Sequence, residues 1–301
     1  MAIRVAIMGE SGTGKSTSLR NFSEDEILLI NVGGKPLPFR KKFETVNSDD
    51  PMEITRAMKS TKKKVIVLDD IQMVMSNSFM RRIQEKGWDK FNDMGADYFK
   101  VLGCVDELPD DVIVYFLSHT KVDDAGVERI KTIGKAIDNN ATLEGYFSIV
   151  LKTAVADGTY NFVTQNNGRD TVKSPIGMFE SFSIDNDLKY VDERIRNYYF
   201  MEGAMSDEEM EKKSEEVANE NVEPKTRRRG RPRKEEVEKP KVEEEKVEEE
   251  KLEAIDPETG EIFEVEKGGA TSQPAPRRRR RRRDASDEPE VEPLSDDDIP
   301  F

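Results

Sequence analysis

The sequence reads Gly9-Glu10-Ser11-Gly12-Thr13-Gly14-Lys15-Ser16 directly after the apolar run of residues 5–8. This spacing fits Gly-x4-Gly-Lys-Ser, a pattern whose glycines let backbone N–H groups point inward at a phosphate. Its lysine reaches the β- and γ-phosphate oxygens, and its serine hydroxyl binds Mg²⁺. We call residues 9–16 the phosphate loop; it predicts a nucleoside triphosphate site with ATP and Mg²⁺ as cofactors.

The chain after the phosphate loop is predicted to be a helix over residues 15–22. Unpaired N–H groups and a positive dipole at the start of a helix favour the same anion. The alternative is a chance glycine-rich turn, which the buried strand before the loop and the helix-forming stretch after it disfavour. Nucleotide contacts are therefore expected from every residue of the loop and from Thr17.

The composition of the 301-residue chain changes near Met201. Residues 1–200 hold 27 Lys+Arg and 30 Asp+Glu, whereas residues 201–301 hold 21 and 32, so most of the net charge of −14 lies in the second part. Only Phe263 and Phe301 supply aromatic side chains there, and such a chain cannot bury enough apolar surface to offset its conformational entropy. We predict a globular ATPase domain over residues 1–203 and a disordered charged tail over residues 204–301.

Cys104 is the single cysteine, which excludes an internal disulfide and a cysteine-based zinc site and fits a reducing compartment. The N-terminus runs into the first apolar run without a cleavable apolar segment, and no stretch approaches the roughly 18 apolar residues that span a bilayer. We therefore expect a soluble cytoplasmic protein with no membrane partner.

Another apolar run, residues 65–68, ends in Asp69-Asp70. An aspartate at the carboxyl end of a buried strand beside a phosphate loop can hold Mg²⁺, and a neighbouring acid can orient the attacking water. We assign Asp69, with Ser16, to the metal and Asp70 to the water. Taken alone, four apolar residues before two aspartates fit any strand end; the pairing with the phosphate loop favours the metal site.

Two further residues are candidates for sensing the nucleotide. His119, the only histidine, follows the predicted strand over residues 112–117 and can contact the γ-phosphate, or it can be a hydrogen-bonded strand end. Arg169 follows a predicted hairpin. It can reach a neighbouring subunit's nucleotide as an arginine finger, or it can be a solvated loop charge.

The first predicted strands have the continuous apolar pattern of a parallel sheet that is buried on both faces. They cover residues 5–8, 27–32, 65–68 and 112–117. The runs 147–153 and 159–164 flank Asp157-Gly158, a strong hairpin signal. The sequence therefore predicts an α/β fold with a mostly parallel sheet and a terminal antiparallel hairpin.

Helices are predicted over residues 51–59, 76–107 and 190–200. The second begins with Ser76 as its N-cap and breaks near Gly87 or Gly95. Residues 121–145 are expected to form a polar connection. A set of aromatic side chains recurs at helix-like spacing and is predicted to lie in the core, namely Trp88, Phe91, Tyr98 and Phe99.

The phosphate loop stands in one chain with Leu68-Asp69-Asp70, Leu117-Ser118-His119-Thr120 and a terminal hairpin followed by Gly168-Arg169-Asp170. This set resembles the RecA-like ATPases encoded by bacteriophages, a lineage that includes single-strand-annealing recombinases, over about residues 1–200. The resemblance implies ATP hydrolysis in DNA recombination or replication, a homo-oligomer, single-stranded DNA as a partner and the cytoplasm of a bacterial host. Lys15, Asp70 and Arg169 would then be catalytic.

One position departs from the RecA-like pattern. Enzymes of this class place a catalytic glutamate at the end of the second strand, where this chain has Asn31 and Val32, which leaves Asp70 as the substitute. Two alternatives stay open: a nucleotide-gated DNA-binding scaffold with negligible turnover, and a helicase-loading AAA-type ATPase, for whose helical lid residues 170–200 are too short. Residues 30–39 also resemble phage ATPases, but no chemical role follows for them.

Two basic blocks interrupt the acidic second part, at residues 225–234 and 277–283. The first holds a Gly-Arg-Pro core and resembles an AT-hook, which lies in the narrow minor groove of DNA. The second is seven consecutive arginines, a further patch for phosphate. The alternative is a generic basic linker. The side chains expected to contact DNA are Arg229, Arg231, Arg277, Arg280 and Arg283.

Residues 295–301 resemble the acidic tip of bacterial single-stranded DNA-binding proteins. The docking residues would be Asp296, Asp297, Asp298, Ile299, Pro300 and Phe301. A proline restricts the backbone, a phenylalanine supplies an apolar anchor, and aspartates meet a basic rim on the partner. The resemblance implies that the partners are replication and repair proteins that bind such a tip; an acidic terminus by chance is the alternative.

Overall fold

The computed structural model describes residues 1–133, 142–222, 252–255 and 262–265. The chain divides into two compact units, Met1–Arg228 and Arg229–Phe301. In the second unit the structure describes two antiparallel strands, Leu252–Ile255 and Ile262–Val265. Both basic blocks and the acidic tip lie outside the described residues.

The first unit is built on a sheet that has eight strands among the described residues. These strands, with the β6–β7 hairpin beside them, are β1 (Ile3–Met8), β2 (Ile27–Asn31), β3 (Glu44–Val46), β4 (Val65–Asp69), β5 (Ile113–Ser118), β6 (Thr120–Val122), β7 (Glu128–Ile130), β8 (Ile149–Ala156), β9 (Thr159–Val163) and β10 (Ser183–Asp185). The order across the sheet is β10-β9-β8-β1-β5-β4-β2-β3. From β8 to β3 all neighbours are parallel, and β8, β9 and β10 are antiparallel.

The predicted α/β class, with a mostly parallel sheet and a terminal antiparallel hairpin, is confirmed. The hairpin turn is Asp157-Gly158, with φ of 51° and 75°, and two positive φ values in a two-residue turn match the right-handed twist of the strands. The strand that precedes the phosphate loop lies between β5 and β8, and β5 separates it from β4.

Helices cover both faces of the sheet, because successive side chains of each buried strand point to opposite sides. The helices are α1 (Pro51–Ser60), α2 (Met73–Arg81), α3 (Asp89–Cys104), α4 (Leu188–Tyr198) and α5 (Asp207–Val222). Ala6 and Leu68 belong to the apolar cluster that α1, α2 and α3 cover. Val5 and Val67 belong to the cluster on the opposite face, which α4 covers.

The segment after the phosphate loop is a short 3₁₀ helix, Ser16–Asn21, rather than the predicted α-helix over residues 15–22. Its first turn is closed by hydrogen bonds from the Ser18 N–H to the carbonyls of Gly14 and Lys15, at 3.0 and 3.2 Å. Leu19 is fully buried in the sheet cluster. Packing therefore fixes the position of this segment, although its hydrogen bonds are tighter than those of an α-helix.

The predicted long helix over residues 76–107 is two helices, and the break at Gly87 is confirmed. Gly87 has a φ of 99°, which favours glycine, whereas Gly95 lies buried inside α3. The predicted N-cap was wrong: α2 begins at Met73, and the Ser76 hydroxyl donates to the Gln72 carbonyl inside the helix at 3.2 Å.

The predicted aromatic core is correct for Tyr98, which is buried, and wrong for Trp88, whose side chain is 75% exposed. Phe91 and Phe99 are half-buried and pack against the core. Trp88 precedes the first residue of α3, and its ring lies against Phe91 at 5.7 Å between centroids. It stands before the helix begins, so helical spacing does not direct it inward.

The predicted polar connection over residues 121–145 contains structure that the sequence did not indicate. β6 and β7 form an antiparallel hairpin there. Lys152 of β8 anchors it, because its ammonium pairs with Glu128 at 2.8 Å and with buried Asp170 at 3.2 Å. The short edge strands β3 and β10 were also not predicted.

The closing helix α4 is anchored by a buried carboxylate. The Tyr115 hydroxyl of β5 donates to Asp192 at 2.9 Å, and Arg196 Nε donates to the other oxygen at 2.7 Å. Burial raises the pKa of Asp192, and burial together with the Asp192 charge raises the pKa of Tyr115. The carboxylate thus ties α4 to the centre of the sheet.

The compact unit extends past residue 203, where the sequence analysis placed its end. α5 packs on α4 and β10. Met210 is fully buried, and Asn197 Nδ2 donates to Asp207 at 2.8 Å. A buried methionine and several polar contacts therefore hold a helix whose composition is mostly charged. In the part of the chain that the structure describes, no helix is long and apolar enough to cross a membrane.

Candidate nucleotide-binding site

The phosphate loop leaves the carboxyl end of β1 at the middle of the sheet. The Gly9 N–H donates to the Ser118 carbonyl of β5 at 3.2 Å, which holds the start of the loop against the neighbouring strand. On the other side, a Cβ on Gly9 would lie 2.0 Å from the Thr153 hydroxyl of β8. Only glycine fits this close approach.

Two hydroxyl groups tie the loop to β8. The Thr13 and Thr153 Oγ1 atoms are 2.6 Å apart, and Thr13 Oγ1 lies 2.8 Å from the Glu10 carbonyl. Gly14 has a φ of 102°, and a Cβ there would lie 2.8 Å from the Tyr160 ring. The loop is therefore shaped by contacts with the hairpin as well as by its own glycines.

Lys15 lies inside the curl of the loop. Its side-chain ammonium donates to the carbonyls of Gly9 and Glu10, at 2.9 and 2.8 Å, and the residue is 6% exposed. Burial lowers the pKa of Lys15, and the negative charges of Asp70 and Asp69 oppose that shift. A buried ammonium with carboxylates on one side is suited to an additional anionic partner.

The backbone of the loop offers further donors. Within the described residues, the N–H groups of Gly12, Gly14 and Lys15 donate to no protein acceptor. Successive unpaired N–H groups in a glycine-rich turn form an anion-binding concavity. Together with the Lys15 ammonium, this donor set fits the phosphates of a nucleotide.

Ser16 and Asp69, the two residues that the sequence analysis assigned to the metal, lie next to each other. The Ser16 hydroxyl lies 2.8 and 3.0 Å from the two carboxylate oxygens of Asp69, which is the last residue of β4. Burial raises the pKa of Asp69, and the hydrogen bond from Ser16 opposes that shift. A hydroxyl and a carboxylate are oxygen ligands of the kind Mg²⁺ takes, and protein sites for this ion use one or two such ligands with water and substrate phosphates.

No cluster of three or more His, Cys, Asp or Glu side chains that could hold a metal occurs among the described residues. Mg²⁺ in proteins commonly takes one or two carboxylate ligands and completes its coordination with water and substrate phosphates.

Asp70, the next residue, contacts two basic side chains. Its backbone has a φ of 58°, an uncommon value for a residue other than glycine. Lys35 Nζ lies 3.0 Å from one carboxylate oxygen, and His119 Nε2 lies 3.2 Å from the other. Burial would raise the pKa of Asp70, but the hydrogen bonds from His119 and Lys35 outweigh it and hold the pKa well below its usual range.

His119 is held from several sides. The backbone N–H of His119 donates to the side-chain carbonyl of Gln72 at 3.3 Å, and its backbone carbonyl accepts from the Lys131 N–H at 2.8 Å. Gln72 is buried. His119 is therefore a hydrogen-bonded residue after a strand end and a neighbour of Asp70, and its contact with the γ-phosphate stays a prediction.

Lys35 and Gln72 are functional candidates that the sequence analysis did not identify. Asn31, at the position where RecA-like enzymes have a glutamate, accepts from the Lys35 N–H at 3.2 Å and donates to the Lys35 carbonyl at 2.8 Å. Gly34, with a φ of 62°, allows this tight turn. The signal that could have revealed Lys35 was Gly33-Gly34-Lys35 directly after a buried strand.

Arg169 is not brought into the site within this chain. Its N–H donates to Asn167 Oδ1 at 2.9 Å and its carbonyl accepts from the Glu128 N–H at 2.9 Å. In the described residues its guanidinium makes no ion pair or hydrogen bond with the phosphate loop. The arginine-finger role, which acts on a neighbouring subunit, stays a prediction.

Comparisons with known proteins leave the family open. No protein-family model matches the sequence, and no curated protein matches it. Among solved structures, one similar chain comes from a structure described as a DnaB-like replicative helicase and its interactions with primase. The TM-score is 0.39 and the identity 12%, over 61% of this chain and 55% of that one, so the match spans about half of the helicase chain. We infer the function from the geometry of the site instead.

Proposed function

We propose that this protein binds ATP with Mg²⁺ through the phosphate loop and couples the nucleotide to work on DNA. The observation that carries the proposal is the meeting of Lys15, Ser16 and Asp69 at one edge of the sheet. Lys15 supplies the cation for the β- and γ-phosphates, and unpaired N–H groups surround it. Ser16 and Asp69 supply oxygen ligands for Mg²⁺, which neutralises charge on the phosphates when it is bound.

The role of Asp70 in hydrolysis is narrower than that of a general base. A carboxylate whose pKa is depressed by two basic neighbours is a weak proton acceptor. It can still orient a water molecule while His119 holds its carboxylate in place. We therefore propose Asp70 as a positioning residue and expect slow turnover.

The DNA part of the proposal rests on the sequence. The resemblance to phage RecA-like ATPases supports a role in recombination or replication, of the strand-annealing or strand-exchange type, by a homo-oligomer. Arg229, Arg231 and the arginines of residues 277–283 would bind phosphates of single-stranded DNA, and residues 295–301 would recruit proteins that bind the tip of single-stranded DNA-binding proteins.

The test is to measure ATP binding and turnover with and without single-stranded DNA. Lys15→Ala should lower the affinity for Mg²⁺·ATP by about 10- to 100-fold, because hydrogen bonds to charged groups contribute about 1.5–3 kcal/mol. Lys62→Ala removes an exposed lysine and serves as the control. Equal affinity for ATP in folded Lys15→Ala and wild type would overturn the proposal.

A second candidate is a nucleotide-gated DNA-binding scaffold without appreciable turnover. It is favoured by Asn31 in place of the expected glutamate and by the paired state of Asp70. This scaffold function predicts that a non-hydrolysable ATP analogue supports DNA binding as well as ATP does. A helicase-loading AAA-type ATPase is disfavoured, because α4 packs against the sheet cluster and the Ser16–Asn21 segment and does not form a separate lid.

A further inference from the structure

The turn after β2 presents a lysine next to the proposed nucleotide site. Asn31 holds both the N–H and the carbonyl of Lys35, so the backbone of the turn is fixed at that residue. The Lys35 side chain, in contrast, is 64% exposed and is held at its end by the ion pair with Asp70. The backbone of Lys35 is therefore fixed, whereas its long, exposed side chain has room to exchange one ion-pair partner for another.

The ammonium of Lys35 lies beside the residues of the site itself. It is 3.0 Å from the carboxylate of Asp70, which directly follows the proposed metal ligand Asp69. Asn31, which fixes the Lys35 backbone, is paired with Asp69 in the register of β2 and β4. The turn therefore places the ammonium next to the groups that would hold the metal and the terminal phosphate.

Release of Lys35 from Asp70 would not leave that carboxylate without a partner. His119 Nε2 stays 3.2 Å from the other oxygen of Asp70. The pair joins a largely exposed lysine to the Asp70 carboxylate, so solvent screens it on the lysine side. A phosphate carries more charge and more acceptor oxygens than a carboxylate, so it is the stronger competitor for the ammonium.

We propose that Lys35 senses the terminal phosphate: its ammonium contacts the γ-phosphate when a triphosphate fills the loop and pairs with Asp70 when a diphosphate does. The proposal rests on the nucleotide-binding function above and assigns a role to part of residues 30–39. It also gives the site a second cation at the place where the expected glutamate is missing. The conformation of the turn after β2, and the contact of Asp70 with His119, would then differ between the triphosphate and diphosphate states.

The test compares affinities for Mg²⁺·ATPγS and Mg²⁺·ADP in wild type, Lys35→Met and Lys35→Arg. Lys35→Met loses one charge-assisted hydrogen bond to the γ-phosphate, so its affinity for ATPγS should fall about tenfold or more. Its affinity for ADP should stay within about twofold of that of wild type, because ADP has no γ-phosphate. Lys35→Arg keeps the charge and should retain most of the preference for triphosphate. Lys62→Met is the matched control on an exposed lysine.

The outcomes separate this inference from the proposed function. ATPγS and ADP affinities that are both unchanged, or both reduced alike, in Lys35→Met would overturn the sensing role, because an ion pair that only fixes the turn does not distinguish the two nucleotides. Failure of wild type to bind either nucleotide would instead overturn the proposed function. If Lys35→Met does not fold, as judged by circular dichroism, Lys35→Gln replaces it and the same comparison decides.

Discussion

The Ser16 hydroxyl donates to the Asp69 carboxylate at 2.8 Å, although the two residues are 53 positions apart in the sequence. β4 ends at Asp69, and β5 lies between it and the strand that leads into the phosphate loop. The carboxyl ends of parallel strands meet at one edge, which is where open α/β sheets bind ligands. This relationship makes the two residues act as one unit.

Ser16 and Asp69 should therefore show coupled effects on nucleotide binding. We expect Ser16→Ala and Asp69→Asn each to weaken Mg²⁺-dependent ATP binding by about tenfold or more. The double variant should lose less than the two single losses combined, since neighbours in one network are not additive. The measurement is calorimetric titration with and without Mg²⁺, with Asp124→Asn, at an exposed aspartate, as the control. Fully additive losses, or losses that persist without Mg²⁺, would contradict the shared metal site.

The basic blocks should set the salt dependence of DNA binding. Deleting residues 225–301 removes both blocks, and each lost phosphate contact lowers the log–log salt slope by about 0.7 on single strands and 0.9 on duplex DNA. We expect weaker binding and a flatter slope, measured by fluorescence anisotropy over a range of salt concentrations. An unchanged slope in the truncated protein would show that the arginines are not phosphate contacts.

Trp88 and Tyr98 should differ sharply in their contribution to stability. Trp88→Ala should change the free energy of unfolding by no more than about 0.5 kcal/mol, because the side chain is mostly in solvent. Tyr98→Ala empties a fully buried volume and should cost about 3–5 kcal/mol, as large aromatic truncations in cores do. Urea denaturation followed by circular dichroism measures both. Strong shielding of the single tryptophan from an aqueous quencher would argue against its exposed position.

Substitution of the buried residue Asp192 should strongly lower the stability of the protein. Asp192→Ala leaves the Tyr115 hydroxyl and the Arg196 guanidinium without their acceptor, and removing one member of a buried charge pair costs about 3–5 kcal/mol. Lys59→Ala, which breaks the exposed pair with Glu107, should leave the denaturation midpoint near that of wild type. Similar midpoints for the two variants would show that Asp192 does not anchor α4.

The sequence predicts β1, β2, β4 and β5 well because each is a continuous apolar run that the sheet buries on both faces. It also singles out the loop residues and Asp69 as candidates, since their spacing is set by local chemistry and by the end of a strand. It does not predict Lys35 beside Asp70, because that contact depends on the register in which β2 lies next to β4.

The remaining differences have similar physical causes. β3 and β10 have three residues each, too few for a periodic pattern. Trp88 follows the spacing of a helix that begins one residue later. The Ser16–Asn21 segment is a 3₁₀ helix, although its composition also permits an α-helix. In a segment of six residues, helix propensities do not distinguish the two geometries.

The central position of β1 has a consequence for how the chain reaches its native state. β1 is translated before both of its neighbours in the sheet, because Ile3 pairs with Ile113 and Val5 pairs with Ile149. Contacts between residues so far apart form slowly, because a long loop must close before they are gained. Until then the apolar side chains of β1 are open to aggregation with other nascent chains. The phosphate loop is thus translated well before β5 and β8, the strands that hold it in place.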